Sequence, residues 1–216
     1  MKPSIAIVGM ACEYPDANSP EELWKNVIVQ RRSFRKIPST RLNLAEYFDP
    51  DPAAPDRTYS GWAALIEGYE FDRVKYRISR AAFRSTDLAH WLALDVAARA
   101  IENAGSDLLD ATSRAATAVY VGNTLTGELS RAASLRLRWP YVKSVLERGA
   151  VQIGLSAADV ERLVADSEEN FKRPFAPVGE DTLAGGLSNT IAGRIANFFN
   201  FNGGGSLIQD STLSDA

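Results

Sequence analysis

The sequence of 216 residues is short of residue types that several classes of protein require. Its single cysteine, Cys12, excludes an internal disulfide and is typical of the reducing cytoplasm, where we expect this chain to act. Its single histidine, His90, excludes a histidine-rich metal site, and we expect no bound metal. No apolar run approaches the roughly eighteen residues of a membrane-spanning helix, and the first residues lack the pattern of a signal peptide.

An excess of charge of one sign is also lacking, because 24 basic and 27 acidic residues give a formal net charge of -3. This balance gives no reason to expect nucleic-acid binding as a main role. Apolar residues make up 45% of the sequence, which is enough to bury the core of one domain over residues 1–216.

Apolar patterns predict two strands and a long helix. Ser4–Met10 and Ala115–Val121 are rich in apolar and β-branched residues, which favours strands buried on both faces. Asp87–Ala104 has apolar residues at helical spacing and is followed by Gly105, so we predict a helix that ends there. The order of strands and helices along the chain predicts an α/β fold with a mostly parallel sheet covered by helices.

Helix-start and loop signals place the remaining elements. Ser19, Pro20 and Glu22 form a helix start with a capping box. Residues 33–60 are rich in proline, aspartate and arginine, which predicts a long surface excursion, and Gly61–Phe71 is predicted as an edge hairpin or irregular cover. A helical insert at about residues 128–180 is predicted from helices at Gly127–Leu137, Tyr141–Glu147 and Ser156–Glu169.

The last part of the sequence predicts a helix, a glycine turn and a short strand. Apolar residues recur at helical spacing through Thr182–Phe199, which predicts one amphipathic helix. Asn202 and Gly203–Gly205 then predict a turn, and Ser206–Gln209 a short buried strand. This run closely resembles the segment that leads to the nucleophile elbow of the β-ketoacyl synthases, or ketosynthases.

In that family the strand ends in an acidic residue, followed by one or two small residues and a reactive cysteine. Without gaps, the cysteine position falls on Thr212 and the acidic position on Asp210. The likeness extends over essentially the whole sequence, and is strongest to the iterative multidomain synthases of the enediyne, polyunsaturated-fatty-acid and glycolipid type. The segments that carry it are IAIVGMACEYPDANSPEELWKNV, FRSTDLAHWLALDVAARAIENAG, AVYVGNTLTGELSRAASLRLRWPYV and PVGEDTLAGGLSNTIAGRIANFFNFNGGG.

The resemblance implies a thiolase-like layered fold, of which these residues match the first half. It also implies decarboxylative condensation of acyl thioesters on a phosphopantetheine-linked acyl carrier protein, without a bound cofactor. The family's two catalytic histidines and supporting lysine belong to the second half, which has no counterpart in these residues. We therefore expect a polypeptide that is inactive alone, and either a homo-oligomer or a partner chain that supplies the second half.

Thr212 is a poor candidate nucleophile, because a threonine hydroxyl is barely ionised near neutral pH and needs a base beside it. His90, the one imidazole, lies in the middle of a predicted helix. In the family, the stretch that contains Asn123, Thr124 and Thr126 borders the acyl pocket, so these residues are candidates for substrate contact.

Other reactive or charged residues have more ordinary explanations beside the functional one. Arg131, Arg136 and Arg138 are candidates for contact with an acidic carrier protein or a phosphopantetheine phosphate, although a solvated helix face is the commoner explanation for such a run. Cys12 is predicted to be a small core residue, and His90 a surface or half-buried helix residue.

The sequence alone does not decide between two functions. The first is an acyl-transferring ketosynthase fragment, either degenerate or completed by a partner chain. The second is a non-catalytic interaction or scaffold module that keeps the dimer surface of the ketosynthases. A following reading frame that encodes the histidine-bearing half favours the first, and a stable isolated chain that binds no acyl thioester favours the second.

Overall fold

The computed structural model describes residues 4–105, 109–123 and 127–208, with the backbone alone described for Asp181 and residues 206–208. The elements in chain order are α1 (Pro20–Ile28), β1 (Phe34–Lys36), α2 (Leu44–Tyr47), β2 (Trp62–Ala64), α3 (Arg80–Arg84), α4 (Leu88–Ala104), α5 (Ala111–Ala116), β3 (Val119–Gly122), α6 (Glu128–Leu137), α7 (Trp139–Gln152), α8 (Ala157–Lys172), α9 (Glu180–Gly186), α10 (Thr190–Phe199) and β4 (Gly205–Ile208).

The described residues form two compact units, each with its own small sheet. The first unit comprises residues 4–71 and 95–105, and the second comprises residues 72–94 and the described residues from 109 onward. Helix α4 contributes its beginning to the second unit and the rest of its length to the first.

Helix α1, in the first unit, begins as predicted. Ser19 Oγ accepts a hydrogen bond from the Glu22 N–H at 3.2 Å. Glu22 Oε2 in turn accepts one from the Asn18 N–H at 2.8 Å, one residue before the position of an ideal capping box. These bonds satisfy N–H groups that a helix start leaves without partners, so the local sequence alone determines this boundary.

The sheet of the first unit consists of β1 and β2, which pair antiparallel. Phe34 pairs with Ala64, and Lys36 pairs with Trp62. Strand β1 lies in the segment predicted as an excursion, and β2 lies in the predicted edge cover. The two strands are joined by a long connection that contains α2, and not by a tight hairpin turn.

The predicted strand at Ser4–Met10 is wrong, because these residues form no strand in the described structure. A strand needs a neighbour for its hydrogen bonds, and no described strand lies beside this segment. Gly9 packs instead on α4, where an added Cβ atom would lie 2.7 Å from Ala104 Cβ. Ile5 and Ile7 are 93% and 80% exposed, so the apolar side chains of this segment remain uncovered.

The sheet of the second unit is the parallel pair of β3 and β4, on which α10 packs. The predicted strand Ala115–Val121 starts too early, because α5 occupies its first residues. Asp110 Oδ1 accepts a hydrogen bond from the Ser113 N–H at 2.7 Å and so begins α5. Strand β3 then starts at Val119, and Tyr120 is exposed, so this strand is not buried on both faces as predicted.

The helices predicted between residues 127 and 169 are confirmed as α6, α7 and α8, with α7 longer than predicted. Trp139, at the start of α7, is buried against Phe171 of α8, with ring centroids 5.5 Å apart. Phe175 packs on the other side of this contact, 5.9 Å from Phe171. These three rings join α7 to the C-terminal end of α8.

The single helix predicted at Thr182–Phe199 is wrong, because the structure divides it into α9 and α10. Two glycine carbonyls at the end of α9 form hydrogen bonds outside the helix. Gly185 O accepts from the Asp87 N–H at 2.9 Å, and Gly186 O accepts from the Ser130 hydroxyl at 3.0 Å. Because these carbonyls have partners elsewhere, the helix ends without an energetic penalty.

Replacing Gly185 by alanine is expected to lower the free energy of unfolding by about 1–3 kcal/mol. The added Cβ atom would meet the Ser85 carbonyl oxygen and lie 2.6 Å from Thr86 Cα, so the backbone would have to shift. Gly149→Ala is the matched control, since Gly149 lies in α7 and no atom lies within 4 Å of its added Cβ. Urea unfolding measures the stability of both variants. Equal midpoints for Gly185→Ala and the wild type would contradict the prediction.

Candidate functional site

The turn that leads into β4 is bound to the segment before β3 by backbone hydrogen bonds. The Asn202 N–H donates to the Arg114 carbonyl at 3.0 Å, and the Gly203 N–H donates to the Thr117 carbonyl at 3.0 Å. These bonds align the two segments before the strands begin to pair, and so they set the register of the parallel sheet.

Two glycines allow this turn. An added Cβ atom at Gly203 would lie 2.5 Å from the Ala116 carbonyl oxygen, so no other residue fits at this close approach. Gly204 has φ +94°, a backbone conformation that residues with a side chain rarely adopt. The predicted glycine turn is therefore confirmed, and its physical reason is close packing on the end of α5.

Arg114 fixes the end of α10 beside the same turn. Its Nη1 donates to the Phe199 carbonyl at 2.6 Å, and its Nε donates to the Leu109 carbonyl at 3.0 Å. A cation at the C-terminus of a helix also interacts favourably with the helix dipole. The sequence analysis missed Arg114, because an arginine in a short helix gives no local signal of a bond to a segment so far along the chain.

The carboxyl ends of β3 and β4 lie side by side, because Gly122 pairs with Ile208 in parallel register. Asn123, a candidate for substrate contact, directly follows β3 and is half-buried at this edge of the sheet. Ligands of parallel α/β sheets bind outside the carboxyl ends of the strands, so this edge is the candidate functional site. Four residues predicted to belong to it lie outside the described residues: Thr124, Thr126, Asp210 and Thr212.

Asp87 connects the start of α4 to the start of α6, the helix that follows Asn123 and the undescribed residues 124–126. Its Oδ1 accepts from the Leu129 N–H at 2.7 Å, and its Oδ2 accepts from the Ser130 hydroxyl at 3.1 Å. A carboxylate at a helix N-terminus satisfies a free N–H group and interacts favourably with the helix dipole. The sequence analysis placed Asp87 only as the first residue of a helix and missed this role.

His90 is 2% exposed, so the prediction of a surface or half-buried residue is wrong. Burial, and to a smaller extent the Arg194 guanidinium, lowers the pKa of His90 to about 4, while the Asp87 carboxylate opposes the change. Its Nδ1 forms no hydrogen bond within the described part of the chain. The imidazole is therefore neutral and enclosed, and it contributes packing rather than proton transfer.

The three candidate arginines for carrier contact differ in their surroundings. Arg136 Nη1 donates to the carbonyls of Lys172 and Phe175, at 2.7 and 3.0 Å, and so caps the C-terminus of α8. Arg131 and Arg138 are exposed. Of the three, Arg131 and Arg138 present their guanidinium groups to solvent, and Arg136 has a structural role.

Cys12 does not form an alternative reactive site. It is half-buried, and burial raises the pKa of its thiol, which keeps it protonated near neutral pH. Within the described ranges, no group of three or more metal-binding side chains is arranged to hold an ion. Across the same residues, none of the helices combines the length and apolar character needed to cross a membrane.

Comparison with known proteins identifies relatives along almost the whole chain. The family profile described as beta-ketoacyl synthase, N-terminal domain, matches residues 2–211. A polyunsaturated fatty acid synthase polypeptide of Thraustochytrium sp. is 26% identical over 203 residues, which is 94% of this chain and 7% of that protein. A mycocerosic acid synthase-like polyketide synthase of Mycolicibacterium smegmatis is 34% identical over 140 residues, 63% of this chain and 7% of that protein.

The chain thus spans less than a tenth of the length of these curated relatives. Among solved structures, it is similar to the oxazolomycin ketosynthase domain OzmH KS7 of Streptomyces albus JA3453, with a TM-score of 0.63. That likeness covers 94% of this chain and 28% of the other at 22% identity, so it shows the fold alone.

His90 is expected to make the folded chain less stable as the pH falls from about 6.5 to about 4. Over this window the unfolded state binds a proton on His90 while the folded state, with its lowered pKa, does not, so acid favours unfolding. The variant His90→Gln should lose less stability between about pH 7.5 and about pH 5, since glutamine does not titrate. The urea midpoints at the two pH values measure this loss of stability. An equal loss in the wild type and in His90→Gln would show that His90 is not responsible.

Proposed function

The chain belongs to the β-ketoacyl synthase family, and we propose that it forms the part of a condensing enzyme that positions the acyl-carrying nucleophile. It is a ketosynthase-family polypeptide of polyketide or fatty-acid synthesis with a thiolase-like fold, as the sequence predicted. The reaction that we propose for the complete site is decarboxylative condensation of acyl thioesters held on a phosphopantetheine-linked acyl carrier protein. The chain itself binds no other cofactor in this proposal.

The observation that carries this proposal is the parallel pairing of β3 and β4, which places two strand ends at one edge. In the sequence, Thr212, the position that aligns with the family nucleophile, comes four residues after the end of β4, and Asn123 directly follows β3. The close approach of Gly203 to Ala116 makes the entry to β4 rigid. A rigid entry suits a nucleophile, because its reactive atom must be held in one position.

We propose further that residues 1–216 do not catalyse condensation by themselves. Thr212 replaces the cysteine of the family, and a threonine hydroxyl attacks only with a base in hydrogen-bonding distance. His90 is the single imidazole in these residues, and it is buried and neutral. The second half of the family fold would therefore have to supply the bases, whether from the same polypeptide or from a partner.

Thr212→Cys is expected to restore attachment of an acyl group without restoring carbon–carbon bond formation. A thiolate is a far better nucleophile than a hydroxyl, but decarboxylation in the family uses two imidazoles that residues 1–216 lack. The polypeptide is incubated with radiolabelled acyl carrier protein and a malonyl carrier protein, in a Cys12→Ser background so that one thiol is present.

Wild type and Thr212→Ala should both remain unlabelled in this experiment, and Thr212→Cys should carry label but release no condensed product. Stoichiometric labelling of the wild type that is lost in Thr212→Ala would contradict the proposal. A condensed product formed by Thr212→Cys without a partner chain would also contradict the proposal.

Arg131 and Arg138 are proposed as the basic contacts of an acidic carrier protein, because both are exposed. The double variant Arg131→Glu, Arg138→Glu should bind the carrier about tenfold more weakly with an unchanged unfolding midpoint. Arg136→Ala should instead lower the unfolding midpoint, since the carbonyls of Lys172 and Phe175 lose their donor. Fluorescence anisotropy with a labelled carrier measures the affinity, and equal binding by the double variant would exclude this contact.

Association with a second copy or a partner chain is proposed through the apolar residues 4–10. Ile5, Ile7 and Val8 are exposed, and uncovered apolar patches of this kind favour association. Sedimentation at roughly micromolar concentration should give a mass above the 23.5 kDa of one chain. Ile7→Asp should shift the population toward the monomer, and Val74→Asp should not. A monodisperse wild-type monomer would overturn association with a second copy.

A non-catalytic interaction or scaffold module is the second candidate function, and threonine in place of the family cysteine favours it. The two functions differ in one outcome. If the labelled carrier transfers its acyl group once a partner with the second half is added, the chain is part of a condensing enzyme. If the chain associates with that partner and remains unlabelled, it is the interaction module.

A further inference from the structure

A cavity of about 510 Å3 lies in the second unit and includes none of the residues assigned to the candidate site. Its wall is formed by residues 75–78, by the first part of α4 and by the last turns of α10. A cavity of this size falls in the range of small-molecule sites in proteins. Its lining combines aromatic rings with basic side chains, and that combination decides what it would bind.

Aromatic side chains form the inner wall of the cavity. Tyr76 and Trp91 are 2% and 1% exposed, which fixes their rings within the unit. Phe198 packs against Tyr76 with ring centroids 5.4 Å apart. Rings held in this way give a ligand an apolar surface that is already ordered before binding.

Arg194 contributes a positive charge that no carboxylate of the described residues neutralises through an ion pair. Its guanidinium carbon lies 5.1 Å from the centre of the Trp91 ring, and its Nη2 donates to Thr86 Oγ1 at 3.2 Å. Its Nε is buried and has no hydrogen-bond partner within the described ranges. Burial lowers the pKa of Arg194, and no acidic group opposes this change. An anion in the cavity would compensate the free-energy cost of burying this charge.

Arg77 adds a second positive charge in an unusual backbone conformation. Its φ of +55° lies in the left-handed region that residues with a side chain seldom adopt, and such residues cluster at binding and active sites. Arg77 is one of the residues that line the cavity, and none of the described lining residues is an aspartate or a glutamate. The charged residues that line the cavity are therefore all basic.

We propose that this cavity binds an organic oxyanion, with Arg194 and Arg77 contacting the charged group and the aromatic wall contacting its apolar part. Guanidinium groups bind phosphate and carboxylate oxygens through paired N–H donors, so either oxyanion suits the site. The aromatic wall selects an anion that carries a ring or a short apolar chain over an inorganic one. The inference does not depend on the proposed condensation reaction.

Isothermal titration calorimetry at low salt tests this with three probes: phenyl phosphate, benzoate and inorganic phosphate. Phenyl phosphate, benzoate or both should bind saturably and more tightly than inorganic phosphate, and the comparison of the two tells which oxyanion is preferred. Absence of saturable binding by both organic probes overturns the proposal. Equal affinity for phenyl phosphate and inorganic phosphate overturns the role of the aromatic wall.

The matched variants are Arg77→Asn, in which asparagine tolerates the left-handed conformation, and Arg138→Asn, at an exposed arginine outside the cavity. Arg77→Asn should weaken binding of the organic probe about tenfold, since a charge-assisted hydrogen bond is lost. Arg138→Asn should bind as the wild type does. Circular dichroism shows that each variant is folded, and equal affinity of Arg77→Asn and the wild type overturns the assignment.

Discussion

The close contact between the backbones of Gly203 and Ala116 determines how the second unit is built. No Cβ atom fits between the two segments, so the turn before β4 lies directly on the end of α5. The hydrogen bonds from this turn to Arg114 and Thr117 then leave one register for the strands that follow. Because parallel strands in that register end together, the candidate site at their carboxyl edge is a consequence of a glycine several residues earlier.

The Asp87 carboxylate organises the other side of the same unit, where it joins the start of α4 to the start of α6. Both oxygens accept hydrogen bonds from the start of α6, so the negative charge is directed to that helix. Arg194 is left with a hydroxyl and an aromatic ring as its partners. His90 is kept neutral by burial and by Arg194, while Asp87 favours its protonated form.

Sequence reasoning predicted those elements whose boundaries depend on neighbours along the chain. The cap at Ser19, the end of α4 at Gly105 and the glycine turn follow from local chemistry, and each is confirmed. It failed where a distant segment decides the outcome. The break after α9 depends on hydrogen bonds from Asp87 and Ser130, which no pattern within residues 182–199 reveals.

The same difference between features set by neighbouring residues and features set by distant segments applies to the candidate site. The family resemblance predicts Asn123 and Thr212 as site residues, because those positions lie in motifs that can be compared directly, and both stay predictions. Arg114 and Asp87 act through bonds to residues far along the chain, so neither spacing nor composition distinguishes them from other charged residues. Burial of His90 was likewise missed, since one imidazole on an amphipathic helix fits equally well on either face.

A parallel sheet of two strands needs more cover than the described residues give it. Parallel sheets are found with both faces covered, yet Tyr120 of β3 is exposed, and so is the apolar segment of residues 4–10 in the first unit. The β-branched composition of that segment suits a strand, and among the described residues it has no strand to pair with. An apolar segment with strand composition and no neighbour gains free energy from any further chain that covers it.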